Sequence, residues 1–446
     1  MITTVIPYTD ACNCADVGEG YDGVVRVVVG NYYGTGVLLY DGLAVLTAAH
    51  LFESPTSSST TVYFETSTGS QSLSANSITI APSYDALQDN NDLALVWLSS
   101  SAPVTADRYS LYRSDDEIGQ TMTMVGYGTP GTGESGVLTN YSGKPLRLKA
   151  ENQFDADAAT LKSWLGFVMS WTPTAGTQLV ADFDDGTSTH DALGRLINCN
   201  GLGLGQSEGL ISSGDSGGPA FIAGQVAGIA SYTASLSCGC ASPDIDNASN
   251  SSFGELASWQ RLSYYQQWID ESLRARYPNA PTKPEEVQKS VNEGNSGTTY
   301  AYFLLQFTGS RSDSNQILSV DYVTRDGSAK AGEDYLATQG TLVLYPDEDQ
   351  AVIPVEIIGD NSAETNETFY LDVSNPVGGS FGSGVTQLTA MRTILNDDGI
   401  YQNTIHSAFA CLTESTAFNC VGNVMNSCVL PLVGVVDLTD TSSITA

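Results

Sequence analysis

The stretch Gly214-Asp215-Ser216-Gly217-Gly218-Pro219 places a serine between glycines, beside an aspartate and directly before the apolar run Ala220-Phe221-Ile222. Glycine has no Cβ, so its backbone N–H can approach a substrate carbonyl closely. Two N–H groups directed at one point would form an oxyanion hole. Because a serine hydroxyl alone is a poor nucleophile, this pattern also requires a base and a residue that orients it.

A base and an acid both occur upstream of this serine. The chain has three histidines, His50, His190 and His406. Only His50 lies in a segment that suggests a catalytic base, Leu46-Thr47-Ala48-Ala49-His50. Asp92 opens the apolar run Leu93–Leu98, where a carboxylate could be buried and hydrogen-bonded. The order His50, Asp92, Ser216 is the chain order of the trypsin/chymotrypsin catalytic triad.

Five segments resemble signature blocks of the trypsin-like serine proteases, in the family's order. They are Thr47–His50, Asn91–Val96, Gly214–Pro219, the substrate-flanking strand Gly228–Tyr232, and Trp259–Ile269, which resembles the closing C-terminal helix. The resemblance covers roughly residues 20 to 275. It implies an all-β, double β-barrel domain with a C-terminal helix, placed at 21–276 and preceded by an N-terminal arm at 1–20 that wraps the surface.

The resemblance also implies a role for each site residue. Ser216 would attack a peptide carbonyl, His50 would carry the proton, and Asp92 would orient His50 and accept a supporting hydrogen bond from Ser231. The N–H groups of Gly214 and Ser216 would bind the oxyanion. Catalysis by such a triad needs no cofactor.

The expected substrate pocket is apolar and narrow. Leu210 occupies the family's floor position, six residues before the nucleophile, and Ser231, Tyr232 and Thr233 form the wall that pairs with the substrate backbone. Thr233 and a residue near Ala257 replace family glycines. These features predict a preference for small or medium apolar side chains.

Two departures from the family concern disulfides and activation. Ser212 and Leu51 stand where the family usually has cysteines. Asp215, the residue that receives a newly cut N-terminus in the family's zymogens, is present. The usual basic-Ile-Val-Gly-Gly cleavage site is absent from the first thirty residues, so we expect either that another donor satisfies Asp215 or that the oxyanion hole is unformed in the chain as given.

A second domain follows a stiff proline-rich linker at 277–285. Alternating strands are predicted at Tyr300–Phe307, Ile317–Thr324, Thr341–Tyr345, Ala351–Ile358, Thr368–Val373 and Val385–Leu395. This pattern is typical of an antiparallel sandwich. The phrases Asn292-Glu293-Gly294, Ala331-Gly332-Glu333-Asp334-Tyr335, Asn366-Glu367-Thr368-Phe369 and Ile394-Leu395-Asn396-Asp397-Asp398 resemble the immunoglobulin-like Calx-beta domain, over 286–399.

That resemblance implies Ca²⁺ bound by carboxylates at one end of the sandwich. The candidates are Glu293, Asp334, Asp360, Glu367, Asp397 and Asp398. Calcium takes six to eight oxygen ligands, which acids from several loops could supply. The alternative is a solvated acidic rim on a structural spacer.

Composition limits the partners and the compartment. The 446 residues carry a formal net charge of −33, which argues against nucleic acid, because phosphate contacts need Lys and Arg. No apolar run is long enough for a transmembrane helix. Eight cysteines permit disulfides in an oxidising compartment, so we expect a secreted or cell-surface protein whose signal peptide was removed before numbering.

Three functions fit these observations. The first is an endopeptidase acting on protein or peptide substrates. The second is a catalytically silent structural or adhesive surface protein that self-associates through its terminal arms, which include the cysteine-containing tail 400–446. The third is a calcium sensor with the protease as effector.

Overall fold

The computed structural model describes residues 2–53, 59–239 and 241–398. The strands expected in the tail 400–446 therefore lie outside the described residues, as do Cys240, Cys411, Cys420 and Cys428. Within the described ranges the predicted all-β class is confirmed.

The chain begins with the short strand β1 (Thr3–Thr4), which lies outside the first barrel. The first unit is a closed barrel of six strands: β2 (Val24–Val29), β3 (Tyr32–Leu38), β4 (Ala44–Thr47), β5 (Thr60–Thr66), β6 (Gly69–Ile80) and β7 (Ala94–Leu98). The barrel order is β2-β3-β4-β7-β6-β5. Most valines of β2 are buried because its β-branched residues meet core on both faces.

The second unit is a half-barrel built on a seven-stranded sheet. The strands of this part are β8 (Thr121–Gly126), β9 (Gly131–Thr132), β10 (Gly136–Val137), β11 (Leu148–Gln153), β12 (Ala156–Asp157), β13 (Gln178–Asp182), β14 (Gly209–Leu210), β15 (Pro219–Ile222), β16 (Gln225–Ala234) and β17 (Leu256–Arg261). Three of them, β9, β10 and β14, form a separate small sheet with β1, in the order β10-β9-β1-β14. The seven-stranded sheet has the order β11-β8-β15-β16-β17-β13-β12. A fully buried Trp259 and Phe154 pack edge to face in its core.

Three α-helices belong to this part: α1 (Ala158–Leu165), α2 (Ala192–Ile197) and α3 (Leu262–Arg274). Short 3-10 turns occupy Ala11–Asn13, Ala49–Phe52, Gly166–Val168, Gly205–Ser207 and Pro284–Glu286. Helix α3 overlaps the segment Trp259–Ile269, which resembles the family's closing C-terminal helix. It buries Leu262, Tyr265, Ile269 and Leu273, which the helical period places on one face.

The second domain is a β-sandwich with the strands β18 (Ser290–Asn292), β19 (Thr298–Gln306), β20 (Leu318–Asp326), β21 (Gln339–Leu344), β22 (Gln350–Ile358), β23 (Glu367–Val377) and β24 (Gln387–Leu395). One sheet has the order β18-β24-β23-β20-β21, and β19 pairs with β22 in the other. The pairs are antiparallel except β18 with β24, which run parallel. The six predicted strands match β19 to β24 within a few residues.

Helix α3 joins the two domains. Asp270 on this helix is fully buried and accepts hydrogen bonds from Arg113 and Tyr40 of the first domain and from Tyr345 of the second. A second buried ion pair crosses the boundary between Arg108 and Glu356, at 2.7 Å. The sandwich is therefore packed against the protease-like part by buried polar contacts.

One expectation needs correction, and the disulfide expectation is untested for the four cysteines outside the described residues. The first residues do not wrap the surface: Ile2, Thr3 and Thr4 are fully buried, and β1 pairs with β14 and β9. The described cysteines form no disulfide with one another, since Cys12, Cys14, Cys199 and Cys238 are all free thiols. No helix of the described residues is long and apolar enough to cross a membrane.

Candidate functional site

His50 and Asp92 are in direct contact. His50 sits on the 3-10 turn Ala49–Phe52 that follows β4, and Asp92 lies just before β7, the partner strand of β4. The distance from His50 Nδ1 to Asp92 Oδ2 is 2.7 Å, and the His50 backbone N–H donates to Asp92 Oδ1 at 2.8 Å. Asp92 is almost wholly buried, whereas the His50 side chain is 29% exposed. The carboxylate therefore fixes the ring and leaves its other nitrogen accessible.

Strand β16 of the second unit completes this hydrogen-bond chain. Ser231 Oγ donates to Asp92 Oδ2 at 2.6 Å, as the family resemblance implied. Ser231 lies at a register shift between β16 and β17, which turns its side chain toward Asp92. Gln260 Nε2 reaches Ser231 Oγ at 3.4 Å. The two units thus meet at Asp92.

The nucleophile loop needs glycine at two places. Gly214 has φ +97° and Gly217 has φ +82°, conformations that other residues rarely adopt. A Cβ on Gly217 would lie 2.0 Å from Thr47 Oγ1. The loop is therefore pressed against the segment that leads to His50.

Two N–H groups of this loop are open. Among the described residues, the backbone N–H groups of Gly214 and Ser216 have no protein acceptor, while those of Asp215, Gly217 and Gly218 do. Ser216 Oγ likewise makes no hydrogen bond to His50 within the described part of the chain. Nucleophile-to-base hydrogen bonds are often long before substrate binds.

Asp215 is held beneath the loop by several donors. Gly128 N–H and Ser212 N–H each donate to its carboxylate at 2.8 Å. Asp215 is 1% exposed, and this burial raises its pKa. Ser212, which replaces a family cysteine, thus takes a polar role in the same loop.

Thr35 was not predicted and ties the loop to the first barrel. Its N–H donates to Ser216 O at 2.9 Å, and its Oγ1 donates to Gly214 O at 2.9 Å. In sequence Thr35 is an ordinary residue of strand β3. No pattern in the chain marks this contact, because it joins segments about 180 residues apart.

The His50 ring lies in an acidic environment. Burial lowers the pKa of His50, but the hydrogen bond to Asp92 and the charges of Asp92, Glu53 and Asp89 raise it by more, so the net pKa lies above the ordinary value. Burial, followed by the charge of Asp92, raises the pKa of Asp89 to about 6. Above that pH Asp89 is ionised and favours protonated His50.

This environment predicts a pH profile. A general base must be neutral, so kcat/KM should rise with pH as His50 loses its proton. The midpoint of this rise should lie above the usual histidine pKa of ~6.5. Asp89→Asn removes one negative charge and should move that midpoint to lower pH, as measured by kcat/KM against pH. Asp115→Asn, an exposed acid elsewhere, is the control. A midpoint unmoved in Asp89→Asn, or moved equally in the control, would contradict this electrostatic account.

The predicted pocket residues have different surroundings. Leu210 on β14 is fully buried in the core with Ile2. Thr233 and Ala257 are directly opposite each other on β16 and β17. Tyr232 is half-buried, and its hydroxyl accepts from Trp171 and donates to Gln178, both at 2.9 Å.

The predicted calcium ligands fall into two groups, not one. The first group contains Glu293, Asp397 and Asp398. The second contains Asp334, Glu367 and also Glu364, which the sequence analysis did not predict. Within each group, one carboxylate oxygen of each residue lies within 4.8 Å of the others. Asp360 belongs to neither group, although its charge raises the pKa of Glu293 after burial, to about 7 in all.

Family models match two separate segments of the chain. Residues 18–152 match the family model "Trypsin", and residues 290–398 match the "Calx-beta domain" model. A solved structure titled neuropsin, a serine protease expressed in the limbic system of mouse brain, aligns with a TM-score of 0.40 and 18% identity. It covers 61% of this chain and 98% of that chain.

The curated relatives of this chain include several sodium/calcium exchangers. Human sodium/calcium exchanger 2 is 40% identical over 108 residues, 21% of this chain and 12% of the exchanger. Human sodium/calcium exchanger 3 is 48% identical over 63 residues, 14% of this chain and 7% of that protein. Dog sodium/calcium exchanger 1 is 39% identical over 106 residues, 24% and 10% of the two chains. The chain spans about a tenth of these relatives' length.

Proposed function

We propose that this chain, which contains a trypsin domain followed by a Calx-beta domain, is a serine endopeptidase that works through His50, Asp92 and Ser216. The observation that carries the proposal is the hydrogen-bond chain Ser231–Asp92–His50, set beside a nucleophile loop. A buried carboxylate that accepts from a histidine Nδ1 orients the opposite nitrogen for proton transfer.

The roles follow from the contacts. His50 Nε2 takes the proton of Ser216 as Oγ attacks a peptide carbonyl, and later gives it to the leaving amine. Asp92 holds the tautomer and stabilises the imidazolium. The open N–H groups of Gly214 and Ser216 bind the oxyanion, which removes much of the cost of its charge.

We expect cleavage after small or medium apolar residues. No acid stands at the floor position, where Leu210 is buried, so no carboxylate there selects Lys or Arg. Thr233 and Ala257 place two side chains face to face on the wall. Thr233→Gly should then widen acceptance toward larger side chains in a peptide-library profile. An unchanged profile would place the specificity elsewhere.

The direct functional test is hydrolysis of an unfolded protein by the purified chain, followed by mass spectrometry of the peptides. The parent should yield a reproducible set of fragments, and Ser216→Ala should yield none. The matched control is Ser213→Ala, since Ser213 is exposed in the same loop and uses its backbone oxygen to accept from Thr129. Equal cleavage by parent and Ser216→Ala would overturn the proposal.

The Calx-beta domain is proposed to bind Ca²⁺ at its two carboxylate groups. The residues fit a cation, because Glu293 Oε1 and Asp398 Oδ2 are buried and have no hydrogen-bond partner in the described structure. A buried carboxylate oxygen without a donor is costly unless a cation neutralises it. All-oxygen ligands suit a hard ion such as calcium. The calcium concentration outside cells is high enough to fill sites of modest affinity. Binding at these groups is therefore compatible with the proposed secreted or surface location.

Calcium should therefore stabilise the sandwich. Adding CaCl2 to the chelator-treated chain should raise its Tm, by ~5 °C or more at a large excess over Kd. Glu293→Gln combined with Asp398→Asn should remove most of the rise contributed by the first group. Asp347→Asn, an exposed acid of the same domain, should leave it intact. A rise as large in the double variant as in the parent would refute binding at this group.

A further inference from the structure

A third carboxylate group lies in the trypsin domain, in a region that the triad does not use. Asp182 ends β13, Asp184 follows it by two residues, and Asp191 immediately precedes helix α2. All three are at least 95% buried, with exposed fractions of 4%, 5% and 3%. They are therefore enclosed, unlike the acids of a solvated rim.

The geometry of this group fits one cation. One oxygen from each carboxylate lies within 4.8 Å of the other two. Three carboxylate oxygens gathered this closely can share one hard cation. Calcium accepts irregular sets of oxygen ligands, whereas magnesium needs a near-ideal octahedron, so a set supplied by a strand end, a loop and a helix cap suits calcium better.

Internal hydrogen bonds leave one carboxylate oxygen unsatisfied. Asp182 Oδ2 accepts from Leu193 N–H at 2.7 Å, and Asp191 Oδ1 accepts from Gly194 N–H at 2.6 Å. Asp184 Oδ1 is buried and has no hydrogen-bond partner in the described structure. The caps of α2 therefore explain two of the three acids and not Asp184.

Further acids surround this group of three carboxylates. Glu208 and Asp155 lie close enough to act on Asp184, and no Lys, Arg or His of the described residues forms an ion pair with the group. Buried like charges of this kind are normally paired or bound to a metal.

We propose that Asp182, Asp184 and Asp191 bind one Ca²⁺ ion inside the trypsin domain, separate from the Calx-beta groups. The site holds the connection between β13 and β14. Glu208, next to this strand, accepts from the N–H groups of Asp184 and Leu204 and so fastens the connection at its far end. Because β14 leads directly to Ser212 and Ser216, the ion would stabilise the loop that carries the nucleophile.

The test measures calcium binding in a chain whose Calx-beta groups are disabled by Glu293→Gln and Glu367→Gln. After chelator treatment, this variant should still bind one Ca²⁺ by isothermal titration, and its Tm should rise by about 5–10 °C at a hundredfold excess over Kd. Adding Asp184→Asn should abolish both signals. Adding Asp185→Asn is the control, because Asp185 bonds instead to Thr187 and His190.

Two further readouts separate the site from a simple folding defect. In chelator, Asp184→Asn should unfold at the same or a higher temperature than its parent, since it removes one of several like charges. Asp191→Asn keeps a good N-cap for α2 and should also lose calcium binding. No binding in the Calx-disabled chain, binding retained in both aspartate variants, or an equal response to Mg²⁺ would overturn the proposal.

Discussion

Asp92→Asn is expected to lower kcat for peptide hydrolysis about 10⁴-fold while the fold remains intact. Asp92 Oδ2 accepts from both His50 Nδ1 and Ser231 Oγ. An amide NH2 at that place would donate and favour the wrong His50 tautomer. Steady-state kinetics on a peptide substrate, with circular dichroism as the check on folding, measures this effect.

The matched control is Asp89→Asn, three residues away and half-buried beside the same ring. Its charge influences the His50 pKa, but it does not contact the ring nitrogen. Its plateau kcat should stay within a few-fold of the parent. A loss in Asp92→Asn no larger than that of Asp89→Asn would show that Asp92 does not set the tautomer.

Asp270→Ala should destabilise the chain by about 3–5 kcal/mol, because it leaves the Arg113 guanidinium buried without its partner. The Arg113 Nη1 to Asp270 Oδ2 distance is 2.9 Å, and Tyr40 and Tyr345 also donate to this carboxylate. Urea unfolding gives the change in free energy. Glu271→Ala, on the exposed side of α3, should cost less than about 0.5 kcal/mol.

The pH dependence of this contribution has a definite sign. Burial raises the pKa of Asp270, but the charges of Arg113 and Arg274 and the hydrogen bonds from Arg113 and Tyr40 together lower it by more, so the folded pKa lies below the unfolded value. The stabilisation is therefore fully present above the unfolded pKa of ~3.9 and is lost as the pH falls through the folded value. A difference between parent and Asp270→Ala that stayed constant down to pH 2 would contradict the ion pair.

Local patterns carried most of the fold. Strands β19 to β24 lie within a few residues of the segments predicted from alternation. The blocks around His50, Asp92 and Ser216 each consist of a few consecutive residues, so they can be recognised in the sequence. Such segments specify their own conformation, and the sequence is enough to place them.

Contacts between segments that are distant in the chain could not be predicted from the sequence. Thr35 supports the nucleophile loop through main-chain and hydroxyl bonds that any β-strand threonine could make. Glu364 joins Asp334 and Glu367 only through the loop geometry of the sandwich. Leu210 is buried because Ile2 and β1 pack over it, a contact between the two ends of the trypsin domain. These arrangements depend on tertiary packing, which residue types at fixed spacing do not determine.

The most direct measurement is the intact mass of the chain after reaction with a fluorophosphonate serine probe, with Ser216→Ala and Ser213→Ala beside it. An assembled triad and oxyanion hole predict a single adduct on the parent and on Ser213→Ala, and none on Ser216→Ala. A parent that stays unmodified with and without calcium, and before and after limited proteolysis, would contradict catalysis and favour a structural role for the protease fold.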